Sequence, residues 1–146
     1  MKIKTLIIIA LLFVWVTNQT YVVAGIYRHD VPQERFKTLA SQKQFDCVGQ
    51  LKSEGKSAGS AVVISSHWAL TAAHEFNIHP EKGISVEVNG QTLQITKVIV
   101  HPDYKTKLVD LALIKFDTKY KGKPCKLYQS DKEKGLVATI VGFGRA

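Results

Sequence analysis

Several features that would point to other functions are missing from this sequence. It has no internal repeat, no low-complexity tract and no linker-like segment, so one domain is expected. Basic residues outnumber acidic ones by 20 to 12, but the lysines are scattered and are not interleaved with aromatic side chains. That distribution is typical of a solvated surface and not of a nucleic-acid interface, so we expect no nucleic-acid partner.

Clustered metal ligands and phosphate-binding loops are missing as well. The spacing of His67, His74, His79 and His101 fits no compact zinc pattern, and no cysteine lies near them. Residues 142–144 (Gly-Phe-Gly) are followed by no helical pattern, which excludes a phosphate loop there. We therefore expect no metal site.

The longest apolar run is too short to span a bilayer comfortably. Two lysines precede residues 6–16, an unbroken run of eleven apolar residues that suits the core of a signal peptide. Residues 22–24 (Val-Val-Ala) supply a cleavage site. We expect residues 1–24 to be a signal peptide and residues 25–146 to form a secreted or periplasmic domain, with no stable membrane insertion after cleavage. An uncleaved anchor is the alternative.

The exported part alternates apolar and polar residues with a period of two. Strands are predicted at residues 45–52, 59–65, 84–88, 92–101, 110–116 and 136–141. The clearest signal is at residues 86–93, which alternate on both sides of Asn89 and Gly90, the preferred pair for a two-residue hairpin turn. Helix is expected only near residues 31–40 and 72–76. Six short strands with little helix predict an all-β antiparallel barrel or sandwich.

Two segments carry residues suited to catalysis. Residues 71–74 (Thr-Ala-Ala-His) place His74 just after an apolar stretch, and residues 110–114 (Asp-Leu-Ala-Leu-Ile) place Asp110 at the mouth of a strand. Serine nucleophilic catalysis needs such a pair, an imidazole as general base and a carboxylate that fixes its tautomer. A lone histidine at a turn is more often structural. A carboxylate at the edge of a core, however, is costly unless it has a partner, and a histidine is a natural one.

Four segments stand in an order that points to one family. They are residues 59–64 with 68–74, residues 98–104 (ending His-Pro-Asp-Tyr), residues 110–114 and residues 141–144 (Val-Gly-Phe-Gly). Together they resemble the N-terminal half of a trypsin/chymotrypsin-like serine peptidase. The resemblance implies the first of two antiparallel six-stranded β-barrels, in which His74 and Asp110 are catalytic and no cofactor is needed.

The cysteines differ from those of animal members of that family. Animal members usually have a disulfide beside the histidine, and those two positions hold Glu75 and Gly59 here, which resembles the bacterial type. The two cysteines of the sequence are Cys47 and Cys125. The implied barrel would bring the early strand near the later connection, so we expect a Cys47–Cys125 disulfide in an oxidising compartment. Two independent thiols, with Cys125 paired elsewhere, are the alternative.

The sequence shows no second half of the family pattern. After Asp110 the only serine is Ser130, and no Gly-Asp-Ser-Gly run follows. The resemblance implies that the nucleophile belongs to a missing C-terminal barrel, so this sequence contains no nucleophile. We expect an exported serine endopeptidase that acts on proteins or peptides, present as an N-terminal fragment and inactive alone. A non-catalytic pseudoprotease-like binding module is the alternative, and a truncated product without activity is a third reading.

We expect export to remove residues 1–24, because the charged start, the apolar core and Ala24 form a signal-peptide pattern. Intact-mass spectrometry of the secreted product should give a chain that begins at Gly25. Detection of Met1 or Lys2 in that product would contradict the assignment.

Overall fold

Six β-strands and three short α-helices form the part of the chain that the computed structural model describes, residues 30–78 and 83–143. The strands are β1 (Val48–Ser53), β2 (Lys56–Val63), β3 (Trp68–Thr71), β4 (Ile84–Val88), β5 (Gln91–Val100) and β6 (Ala112–Phe116). The helices are α1 (Gln33–Ala40), α2 (Glu75–Ile78) and α3 (Tyr104–Lys107), and a 3₁₀ turn covers Lys43–Phe45. The expected signal peptide lies outside the described residues. Within those residues, no helix is long and apolar enough to cross a membrane.

The strands close into a barrel in the order β1-β2-β3-β6-β5-β4, with β4 pairing back onto β1. Every neighbouring pair is antiparallel. A closed sheet leaves no unpaired strand edge, so strands of only four to ten residues can all pair their backbone hydrogen-bonding groups with neighbours. The structure thus confirms the predicted antiparallel six-stranded β-barrel.

The β4–β5 hairpin forms where the Asn-Gly pair predicts it. Asn89 and Gly90 connect the strands, and Val88 lies opposite Gln91. The φ angles of Asn89 and Gly90 are 46° and 72°, the left-handed values that both central positions of a type I′ turn require. Local sequence is sufficient to determine this turn.

One of the six predicted strands was wrong. Residues 136–141 form no strand in the described structure, and Val137 among them is 100% exposed. The sixth strand is β3, which has only four residues. Its place in the barrel is decided by its partners, because Ala69 pairs with Val63 on one side and with Ile114 on the other. A segment this short has too little alternation of its own to identify it as a strand.

The largest shifts in the predicted boundaries are three residues at the starts of two strands, each because of a local turn. β1 begins at Val48 and not at residue 45, because the chain before it forms the 3₁₀ turn. β2 begins at Lys56, three residues before the predicted start, because Glu54 and Gly55 take φ angles of 49° and 75° and reverse the chain there. Strand existence was therefore easier to predict than strand ends.

Apolar side chains from all six strands fill the interior of the barrel. The largest fully buried ones are Leu51, Val63, Ile84, Val86, Leu93, Ile114, Phe116 and Tyr120. Tyr120 lies beyond β6, and its hydroxyl donates a hydrogen bond to the carbonyl oxygen of Asp46 at 2.8 Å. Burial raises the pKa of this phenol. A buried hydroxyl needs an acceptor, so Tyr120 connects the chain after β6 to the start of β1.

A disulfide joins the same two regions in this structure. Cys47 and Cys125 are bonded, with Cα atoms 5.7 Å apart. Cys47 is buried in the core cluster, and the backbone N–H of Cys125 donates to the carbonyl oxygen of Val63 at 2.8 Å. The connection after β6 is therefore held against the barrel by covalent, side-chain and backbone bonds together.

Replacing Phe116 with alanine should lower the free energy of unfolding by about 3–5 kcal/mol, because truncating a buried phenylalanine leaves a cavity in the core. Phe116 is 1% exposed. Val137→Ala is the control, since Val137 is fully exposed, and it should change stability by at most about 0.5 kcal/mol. Urea denaturation followed by circular dichroism measures both variants. Equal losses would contradict the assigned core.

Candidate active site

Two strand ends bring His74 and Asp110 together. β3 ends at Thr71 and β6 begins at Ala112, and these two residues are partners in the antiparallel register. His74 comes three residues after Thr71, and Asp110 comes two residues before Ala112. Both side chains therefore lie at the same edge of the barrel. The register makes neighbours of residues that are 36 positions apart in sequence.

Asp110 binds His74 with both carboxylate oxygens. Its Oδ2 lies 2.5 Å from Nδ1 of the ring, and its Oδ1 accepts a hydrogen bond from the backbone N–H of His74 at 2.9 Å. The side chains of His74 and Asp110 are 50% and 42% exposed. The two contacts hold the backbone and orient the ring, while half of the imidazole still faces solvent.

This contact shifts both pKa values in the direction that favours an ion pair. The hydrogen bond to Asp110 raises the pKa of His74 above its usual 6.5. The hydrogen bonds from the ring and the backbone of His74 lower the pKa of Asp110 below its usual 3.8. Asp110 is therefore ionised at neutral pH and holds a proton on Nδ1 of His74. In the neutral ring, this leaves Nε2 as the proton acceptor.

Ser60 supports the turn that precedes His74. The Thr71 hydroxyl donates to the carbonyl oxygen of Ser60 at 2.9 Å, and Thr71 is almost fully buried. The hydroxyl oxygen of Ser60 accepts a hydrogen bond from the backbone N–H of Phe143 at 2.7 Å. A Cβ atom on Gly142 would lie 2.9 Å from that oxygen, so the close approach depends on glycine. Thr71 thus acts in packing the turn, and we assign it no chemical role.

Glu75 is a neighbour of the ring that sequence reasoning missed. Its Oε1 lies 3.3 Å from Nε2 of His74, on the nitrogen opposite the one that Asp110 binds. In the sequence, Glu75 and Gly59 stand out only as the positions where a disulfide of related enzymes is missing. In the structure they lie next to each other, so closely that a Cβ atom added to Gly59 would come within 2.6 Å of Oε1 of Glu75. The sequence feature that could have indicated this contact is the pair itself, a carboxylate at position 75 together with a glycine at position 59.

His67 and His101, the two other histidines in the described part of the chain, have hydrogen-bond partners outside this site. Nδ1 of His67 lies 3.0 Å from the hydroxyl of Ser66, and Nδ1 of His101 accepts the backbone N–H of Asp103 at 3.1 Å. His79 lies outside the described residues. Across residues 30–78 and 83–143, no three or more His, Cys, Asp or Glu side chains are placed to hold a metal ion together.

Comparisons with known proteins agree with the barrel and with the order of its segments. The family model described as trypsin matches residues 36–146. Among solved structures, the fold is similar to that of the Vibrio cholerae VesB protease, with a TM-score of 0.56 and 16% sequence identity. The aligned part covers 63% of this chain and 33% of the VesB chain, so this chain spans about a third of that protein. No curated protein matches the sequence.

The ion pair should make stability depend on pH within a defined window. A raised histidine pKa stabilises the fold fully below pH 6.5, and this contribution is lost as the pH rises through the folded-state value. A lowered aspartate pKa contributes above pH 3.8 and is lost as the pH falls through the folded-state value. The difference in unfolding free energy between wild type and Asp110→Asn should therefore be largest between pH 3.8 and 6.5.

Urea denaturation at a series of pH values measures this difference, with Asp131→Asn as the control. Asp131 is exposed on the segment beyond the barrel, so its replacement should not reproduce the pH-dependent loss. If Asp110→Asn differs from wild type by the same amount at every pH, His74 and Asp110 do not interact as charges.

Proposed function

Because the chain belongs to the trypsin family, we propose that it supplies the general base and the orienting carboxylate of an exported serine endopeptidase. The observation that carries the proposal is the contact between Asp110 and Nδ1 of His74. It sets an ionised carboxylate behind an imidazole that is half exposed. A serine triad requires this arrangement of acid, base and accessible second nitrogen.

In the proposed reaction, the Nε2 atom of neutral His74 accepts the proton of a serine hydroxyl as its oxygen attacks a peptide carbonyl. The Nδ1–H group stays bonded to Asp110, whose charge stabilises the imidazolium that forms. His74 then gives the proton to the leaving amine. Asp110 stays ionised throughout, which its lowered pKa supports. These steps are proton transfers and acyl transfer, and they need no cofactor.

The attacking serine is proposed to come from a second barrel that packs beside the His74 edge of this one. After Asp110, the sequence contains a single serine, Ser130, and no Gly-Asp-Ser-Gly segment. Ser130 is exposed, and its hydroxyl accepts the backbone N–H of Lys132 at 3.2 Å. We assign Ser130 no role in the chemistry. The oxyanion donors and the pocket that selects the substrate side chain are proposed to lie in the second barrel too.

We propose further that residues 1–24 direct export and that residues 25–146 act outside the cytoplasm on proteins or peptides. The charged, then apolar N-terminus supports the first part. The bonded pair Cys47 and Cys125 supports the second, because disulfides persist in oxidising compartments.

Labelling of the enzyme with a fluorophosphonate tests the proposed catalytic pair. The native product of this coding region, purified from the exported fraction, should react with the probe and cleave casein. Asp110→Asn should lower kcat by about 10⁴-fold through loss of the correct tautomer. His74→Ala should lower kcat by about 10⁶-fold. Lys132→Ala, on the exposed segment, is the control and should keep wild-type activity.

The 146-residue chain by itself should neither cleave casein nor react with the probe, because it supplies base and orienter without a nucleophile. Stoichiometric labelling of this chain that disappears in Ser60→Ala or Ser130→Ala would contradict that expectation and reveal a nucleophile here. If the native product stays unlabelled while it binds a partner, the non-catalytic binding module is the better function.

A further inference from the structure

The imidazole of His74 lies between two carboxylates. Asp110 binds Nδ1 from the loop before β6, and Oε1 of Glu75 lies 3.3 Å from Nε2 at the start of α2. The Glu75 side chain is 13% exposed, against 50% for that of His74. The second carboxylate is thus held close to the protein and is not a freely solvated charge. It stands at the nitrogen that the proposed reaction needs as a base.

Gly59 makes room for this second carboxylate. Gly59 lies on β2, and a Cβ atom there would come within 2.6 Å of Oε1 and 3.0 Å of Cδ of Glu75. Real Cβ atoms do not approach other atoms so closely, so any side chain at this position would displace the carboxylate. The position of the Glu75 carboxylate therefore depends on Gly59, because the glycine leaves the space that the carboxylate occupies.

The contact at Nε2 conflicts with base catalysis. A ring that keeps Nδ1–H toward Asp110 and carries a second proton on Nε2, 3.3 Å from Oε1 of Glu75, is an imidazolium, and it has no lone pair left to accept a proton. The attraction between an imidazolium and a carboxylate at this distance is stronger than that between an imidazolium and a neutral hydroxyl. A neutral serine hydroxyl therefore competes poorly with Glu75 for the protonated ring.

We propose that Glu75 occupies Nε2 of His74 in the resting protein and must move away before the ring can act as a base. This inference rests on the proposed function, because it assigns an inhibitory contact to the same imidazole. Displacement follows when the ring loses its proton, or when the surface that carries the serine docks and takes the place of the carboxylate. Glu75 is accordingly an inhibitory and positioning residue, and it takes no part in bond making.

The charges around the ring agree with this assignment. Within the described structure, the groups that raise the pKa of His74 are Asp110, from the loop before β6, and Glu75, the first residue of α2. Asp110 has the larger effect. A hydrogen bond between neutral groups joins α2 to α3, because Nδ2 of Asn77 donates to the Tyr104 hydroxyl at 2.5 Å. Removal of the Glu75 charge alone should therefore leave the helix in place.

Histidine NMR of the full chain tests the contact without any need for catalysis. With ¹⁵N-labelled imidazoles, Glu75→Gln should lower the titration midpoint of His74 and leave part of the elevation, which Asp110 still provides. Gly59→Ala should lower the midpoint too, because it displaces the carboxylate. Glu133→Gln, an exposed carboxylate beyond the barrel, is the matched control and should leave the midpoint unchanged. Circular dichroism checks that each variant is folded.

The double variant separates this contact from general damage to the fold. If Gly59→Ala acts only through Glu75, adding it to Glu75→Gln should lower the midpoint no further. A midpoint that is unchanged in Glu75→Gln but lowered in Asp110→Asn overturns the inference and leaves the proposed catalytic pair intact. A midpoint that neither variant lowers overturns both.

The enzyme gives a second readout through its pH profile. In the native product, Glu75→Gln should shift the acid limb of kcat/KM to lower pH and raise activity there, because that limb reports the protonation of the free base. A structural role alone would lower activity equally at all pH values, and that result would overturn the inference.

Discussion

The pairing of β3 with β6 is the constraint on which the candidate site depends. Its register sets Thr71 opposite Ala112, so His74 and Asp110 emerge at one edge of the barrel. A slip of one residue would turn every side chain of the short strand β3 to the opposite face. That strand has only two buried side chains, Ala69 and Thr71. Its register is held mainly by the longer strands on either side.

A half-exposed ion pair between long, mobile side chains would contribute little to folding stability, because water screens the charges and ordering the two side chains costs entropy. Asp110 avoids much of that cost. One of its oxygens binds the backbone of His74 and the other binds the ring, so the barrel has already positioned both groups. The result is a carboxylate that stays ionised next to a half-exposed imidazole. Glu75 lies at the other nitrogen of the same oriented ring. One carboxylate therefore orients the imidazole, and the proposed role of the second is to occupy the nitrogen that would accept a proton.

The edge of the barrel that carries His74 is built from backbone register and small residues. Ala73, which precedes His74, is buried, Gly59 makes room for the Glu75 carboxylate, and Gly142 lets the last described segment reach Ser60. None of these positions carries chemistry. Each one sets how closely two pieces of backbone or a side chain approach, and the geometry around His74 follows from those approaches.

The sequence by itself determined the features that depend on local chemistry or on motif order. These include the Asn89–Gly90 turn, five of the six strands and the choice of His74 as the partner of Asp110. Tertiary structure alone decided which segment became the sixth strand. β3 forms because it pairs with β2 and β6, and its own four residues do not predict it. It also decided that Glu75 meets Nε2 of His74. That contact needs the space left by Gly59, sixteen positions earlier in sequence, and no local pattern carries that information.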